Sequence, residues 1–184
     1  MPSSTNLKEV ITKCHNVLDE IFLIHQEAVL LGKFDEAKQI LDCYKVLHDL
    51  HKDFEDQHLI PMFDELGNQG QWQASLYTQE HQKINELMDN TENNLRQLSE
   101  SQLDDRNLRR NIIAFLDREK TFKGYCEHHQ EREEAGLLPS LDAQTDTEWR
   151  AKIIWPFVKE WEQCMERNMK IIKNLKIVNE SSET

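Results

Sequence analysis

Glycine and proline are scarce in this chain, five and four in 184 residues, so strands and hairpins, which need frequent punctuation, are not expected. Long apolar runs are missing as well. No stretch approaches the roughly 18 apolar residues that span a bilayer, and the start, MPSSTNLKEVITKCHNVLDE, lacks a charged segment followed by an apolar one. A cytoplasmic, unanchored protein with no membrane partner is the expectation. Positive charge is also in deficit: 22 Lys and Arg against 34 Asp and Glu leave a net charge of -12. Nucleic-acid binders need clustered cations to displace counterions, so DNA and RNA are excluded as partners. Cys14, Cys43, Cys126 and Cys164 show no paired close spacing, which argues against a zinc ribbon or a redox pair and for free thiols in a reducing compartment.

What remains is a chain suited to long helices. Ile11, Leu18, Phe22 and Val29 recur at helical spacing between about Leu7 and Leu31, and Gly32 closes the pattern. A second helix runs from Phe34 through Leu47, Leu50, Phe54 and Leu59, ending near Pro61 or a turn beyond, before the breaker run Gly67, Asn68, Gln69, Gly70. A third spans about Trp72 to Leu98, and a fourth spans Asp105 to Pro139. Short polar connections between four such helices predict an antiparallel up-down four-helix bundle over residues 1–139. Residues 140–147, SLDAQTDT, read as a linker. The segment 148–184 reads as an additional C-terminal helix carrying Trp149, Trp155, Phe157 and Trp161, where Pro156 is a candidate bend, with a frayed tail NESSET. Its tryptophans would cover the bundle or a partner protein.

The chemistry-bearing residues fall on the inner faces of these helices. A helix advances about 100° per residue, so His51 and Glu55 project side by side, as do His129 and Glu133. Both pairs precede a proline at the same offset, H-x3-E-x5-P, ending at Pro61 and Pro139. His15 shares the stripe of Ile11, Leu18 and Phe22, and His81 that of Tyr77, Ile84 and Met88. One H-x3-E alone is an ordinary helix pair contributing a few tenths of a kcal/mol. Six inward imidazoles and carboxylates together need a shared explanation, because isolated burial of such groups costs several kcal/mol. Inward Glu and His at helical spacing build di-metal sites in bundles, and mixed nitrogen and oxygen donors favour iron, with manganese or zinc as substitutes. His48 and His58 lie in the same sector and read as exposed groups near the bundle ends, with a ligand-orienting role as the alternative; His25 falls off its stripe and reads as exposed.

On the fragments CHNVLDEIF, LHKDFEDQHLIP, YTQEHQKI and EHHQEREEAGLLP, the chain resembles the hemerythrin-like family of His-His-Glu cation-binding domains from about Leu7 to Pro139. The resemblance implies a four-helix bundle with two non-haem iron ions on His15, His51, Glu55, His81, His129 and Glu133, the two glutamates bridging. Within the family, the ligand set is closest to the iron- and oxygen-sensing domain of an F-box ubiquitin-ligase subunit and to bacterial homologues. No F-box or leucine-rich repeat follows here, so a ligase role is not expected. Oxygen-carrying members use H-x3-H on the third helix, whereas the partner position of His81 is Tyr77, a departure that puts reversible oxygen carriage in doubt; Tyr77 could ligate, donate a hydrogen bond or pack. His128 is an alternative to His129, five rather than four residues before Glu133. The expected function is binding or sensing of dioxygen, a related diatomic or peroxide ligand, or iron. Turnover of hydrogen peroxide or nitric oxide, metal storage, and a metal-free interaction scaffold are the alternatives.

Overall fold

The computed structural model describes residues 5–67, 70–101, 104–175 and 177, and among these every regular element is helical. The expected fraying tail and the last residues of the C-terminal helix lie outside the described residues. Helices α1 (Leu7–Leu30), α2 (Phe34–Phe54), α4 (Ala74–Ser99) and α5 (Asp105–Arg132) are long, α3 (Ile60–Glu65) and α6 (Leu138–Gln144) are short, and α7 (Thr147–Asn174) closes the described chain. α1 packs on α2, α2 on α4, α4 on α5 and α5 back on α1, so the long helices form a bundle around one core. Each follows from an apolar stripe: Leu7, Ile11, Leu18, Ile21 and Ala28 of α1 are buried, as are Ile40, Leu41, Leu47 and Phe54 of α2. No helix among the described residues is long and apolar enough to cross a membrane.

The ends are set by local chemistry. Asn6 accepts from Glu9 N–H, and Asp142 accepts from the Leu7 and Lys8 amides at 2.8 and 3.1 Å, so a carboxylate 135 residues away in α6 caps α1. Asp104 and Asp146 cap α5 and α7. After α1 the chain turns at Gly32 (φ 71°), whose left-handed backbone a side chain would oppose.

The second helix ends a turn beyond Pro61, as the sequence reading allowed, whereas the fourth does not stop at Pro139 as that reading expected; both prolines are accommodated in the same way. α2 runs on past Pro61 through a π turn, Glu55–Leu59, into α3, and α5 runs on past Pro139 through a second π turn, Glu133–Leu137, into α6. Ile60 N–H bonds to Glu55 O and Leu138 N–H to Glu133 O, a span of five residues instead of the α-helical four. Proline in an α-helix lacks a donor and clashes with the carbonyl four residues back. The wider turn one step earlier accommodates the ring, and the helix continues. The linker expected at 140–147 is therefore helical as far as Gln144, with only the short turn at 145–146 before α7. The extra residue also cancels the drift of a four-residue repeat around an α-helix, so Glu55, Leu59 and Phe63 stay buried on one face, as do Glu133, Leu137 and Leu141.

α7 is unbroken at Pro156 and lies on α2 and α1, burying Phe157, Trp161, Cys164 and Ile172 while Trp155 stays exposed. Phe157 stacks on Phe54 with ring centroids 4.1 Å apart. The four cysteines are buried and free.

His25 is not exposed. It is fully buried, its Nδ1 2.8 Å from Ala37 O and its Nε2 2.8 Å from Glu119 Oε1, with Gln26 donating to the other oxygen of Glu119. The residues beside it, Ile21, Phe22, Ile24, Ala28 and Val29, are buried nearly all round this end of α1. A stripe alone therefore does not tell which positions meet solvent. His48 is likewise buried, stacked on Tyr44 at 5.8 Å, whereas His58 is exposed.

Candidate metal centre

The structure brings His15, His51, Glu55, His81, His129 and Glu133 together in the middle of the bundle, all buried. They form two groups of four. One contains His15 and His51, the other His81 and His129, and both glutamates belong to each. Glu55 turns Oε1 to His51 Nε2 (3.3 Å) and Oε2 to His81 Nε2 (3.2 Å). Glu133 turns Oε1 to His129 Nε2 (2.8 Å) and Oε2 to His15 Nε2 (3.2 Å). Each group thus offers two imidazole Nε2 atoms and two carboxylate oxygens, and each carboxylate spans both groups. His128 is exposed, facing Glu131, and takes no part.

Three of the imidazoles are held from behind. His15 Nδ1–H donates to Glu134, His81 Nδ1–H to Asp56 (both 2.8 Å) and His129 Nδ1–H to Glu80 (3.0 Å), and Arg132 in turn donates to Glu80. With Nδ1 carrying the hydrogen, each neutral ring presents an Nε2 lone pair inward. Those of His81 and His129 face each other at 3.0 Å, a repulsive contact unless a proton or a cation neutralises it. All four carboxylate oxygens of Glu55 and Glu133, and His15 Nε2, are buried with no hydrogen bond. Such atoms in a core are costly and rare. Lone pairs of two imidazoles and two carboxylates converging without donors are what a divalent cation with mixed nitrogen and oxygen preference requires. The donor set therefore fits a metal ion in each group.

Charge is distributed to match. Burial and repulsion from Glu133 raise the Glu55 carboxyl, while Glu133, despite burial, is held well below the usual carboxylate range by His129 and His15. Burial opposes charge on His81 and His129, but Asp56 and Glu55 lift the first to about 9, and Glu133 and Glu80 lift the second to about 10. His51, with Glu55 at Nε2 but no carboxylate at Nδ1, is pushed down by burial and by His15.

The arrangement is close to two-fold. α1 with α2 corresponds to α4 with α5: His15 to His81, His51 to His129, Glu55 to Glu133, Asp56 to Glu134 and Pro61 to Pro139. A hollow with room for a water-sized molecule lies where the halves meet, lined by Leu18 and its counterpart Ile84, by His48 and its counterpart Cys126, by His51 and His129, and by Tyr44. It borders an imidazole of each group. Tyr77 packs: it is fully buried, its ring edge-on to Phe63 at 6.2 Å, and its hydroxyl, beside Gly136, donates to Arg132 O at 3.4 Å.

Sequence reasoning missed the carboxylates behind the imidazoles. Asp56, Glu80 and Glu134 each sit next to a candidate ligand in the chain, but among 34 acidic residues adjacency alone did not single them out. The missed burial of His48 has a measurable consequence. Burial, aided by the charge on His81 and His129, holds His48 down to about 3, so the folded protein refuses a proton that the unfolded chain accepts near pH 6.5. His48 therefore contributes stability above pH 6.5 that is lost as pH falls toward 3, at about 1.4 kcal/mol per pH unit. Urea unfolding at pH 6.5 and pH 5 should show His48→Leu losing about 2 kcal/mol less than the wild type over that interval; equal losses would contradict a neutral buried His48.

The chain matches no protein-family model, no curated protein and no solved structure.

Proposed function

We propose that the chain is a non-haem di-iron-binding protein of hemerythrin type, in which α1, α2, α4 and α5 form the antiparallel four-helix bundle and α7 is the additional helix, and that it binds or senses dioxygen, a related small molecule or iron. The observation that carries the reading is the pair of four-residue groups sharing Glu55 and Glu133, with every carboxylate oxygen buried and lacking a hydrogen bond. Two imidazoles and two bridging carboxylates per ion suit iron, and manganese or zinc could replace it. A bound iron pair would supply reversible electron exchange with a small oxidant. The six residues would hold the ions, while Phe22, Tyr44, Phe122 and Ile84 exclude bulk water and the hollow beside His51 and His129 would be the place for a small ligand.

Binding or sensing is favoured over turnover by Tyr77. A turnover mechanism would draw a proton or hydrogen bond from Tyr77 or a neighbouring His, and of these the Tyr77 hydroxyl is engaged with the Arg132 carbonyl. The test is an anaerobic titration of iron(II)-loaded protein with dioxygen, followed by visible absorption. The expected result is a spectral change that saturates in proportion to protein, with hydrogen peroxide consumed no faster than by free iron. An absent spectral response would remove the oxygen reading, and sustained peroxide consumption would replace it with an enzyme.

A further inference from the structure

The near two-fold correspondence of the centre fails behind His51. Glu80, on α4, holds His129 from behind and is itself held by Arg132. The counterpart of Glu80 on α1 is Cys14, a buried thiol, and the counterpart of Arg132 on α2 is Phe54, stacked on Phe157 of α7. No hydrogen bond reaches the Nδ1 of His51, whose ring lies 6.3 Å from that of Trp161. Every other imidazole of the centre has a carboxylate at that atom.

Resting on the di-metal reading, we propose that the two metal positions are unequal: the one built on His81 and His129 fills first and holds its ion more tightly, with Glu80 as the positioning residue responsible. A carboxylate on the outer nitrogen of a ligating histidine fixes the tautomer, locks the ring toward the ion and makes the inner nitrogen more basic; losing it commonly costs about 10–100-fold in metal affinity. His81 and His129 both have this support, whereas of His15 and His51 only His15 does. Trp161, the neighbour of His51 from α7, makes no hydrogen bond to its Nδ1, so the second position is the exchangeable one. Its occupancy, not that of the first, follows the metal supply.

The experiment is an anaerobic titration of the metal-free full chain with cobalt(II), read by cobalt absorption against a competing chelator, for the wild type, Glu80→Leu and Glu80→Gln. The wild type is expected to fill in two steps separated by about 10–100-fold in dissociation constant. Glu80→Leu weakens the tighter step by a similar factor and merges the two while still binding two ions. Glu80→Gln, which retains an acceptor oxygen, falls between and carries the test if Glu80→Leu does not fold. Two equal steps in the wild type, or a tighter step unchanged in both variants, overturn the inequality alone. A folded wild type that takes up no cobalt overturns it together with the metal reading.

Discussion

Glu133→Ala is expected to empty both metal positions, whereas His15→Ala is expected to empty one. Glu133 gives Oε1 to the His129 side and Oε2 to the His15 side, so its loss removes a donor from each group of four. His15 belongs to a single group. Losing a direct ligand exceeds the roughly 10–100-fold affinity cost of losing an outer partner, which is enough to clear a position at micromolar metal. Metal analysis after gel filtration should therefore find none per chain for Glu133→Ala and Glu55→Ala and about one for His15→Ala and His81→Ala, with helical content retained in all. The contrast between glutamates and histidines is the signature of bridging. Loss of a single ion on removing Glu133 would mean separate, unbridged positions.

The second large effect is on stability. Without cations, the core must hold Glu55, Glu133 and four imidazoles with few aligned donors, and the atoms left unpaired weaken the fold. Ions that bind the native state alone stabilise it by about 4 kcal/mol per position at a thousandfold excess over the dissociation constant. For a domain of this size each kcal/mol moves the midpoint by about 2–4 °C. Stripping the metal should thus lower the thermal midpoint by on the order of 10 °C or more, and readdition should restore it. Thermal unfolding followed by circular dichroism with and without chelator measures this, and an unchanged midpoint would count against a loaded centre. The same coupling would let the fold report metal supply.

How far such a centre can be read from a sequence depends on the period of each signal. The long helices and the inward placement of His15, His51, His81 and His129 follow from apolar residues at helical spacing, because a stripe fixes which side of a helix meets the core. His129 was preferred over His128 on the parallel with His51 and Glu55, and the structure turns His129 inward and leaves His128 exposed. Both π turns fall on the repeated H-x3-E-x5-P; letting the second helix run a turn past Pro61 agrees with α3, which ends at Glu65, whereas stopping the fourth at Pro139 places a linker over 140–147 where α6 continues. Proline is a breaker only where the turn before it is α-helical. The burial of His25 and His48 is set by groups distant in the chain: Glu119 is 94 residues from His25, and His48 lies against Ile84, Cys126 and His129 of α4 and α5. Glu80 was invisible for a similar reason, since its importance lies in His129 and Arg132 on another helix.

The central claim is that this core holds two metal ions per chain on six residues. Its most direct test is metal analysis of the full-length protein prepared with iron, after gel filtration to remove loosely held ions. Close to two irons per chain in the wild type, falling to none in Glu133→Ala while the helices persist, is the predicted result. A folded wild type that carries no transition metal and shrugs off the substitution would contradict the account, leaving a helical scaffold with an unusually polar core.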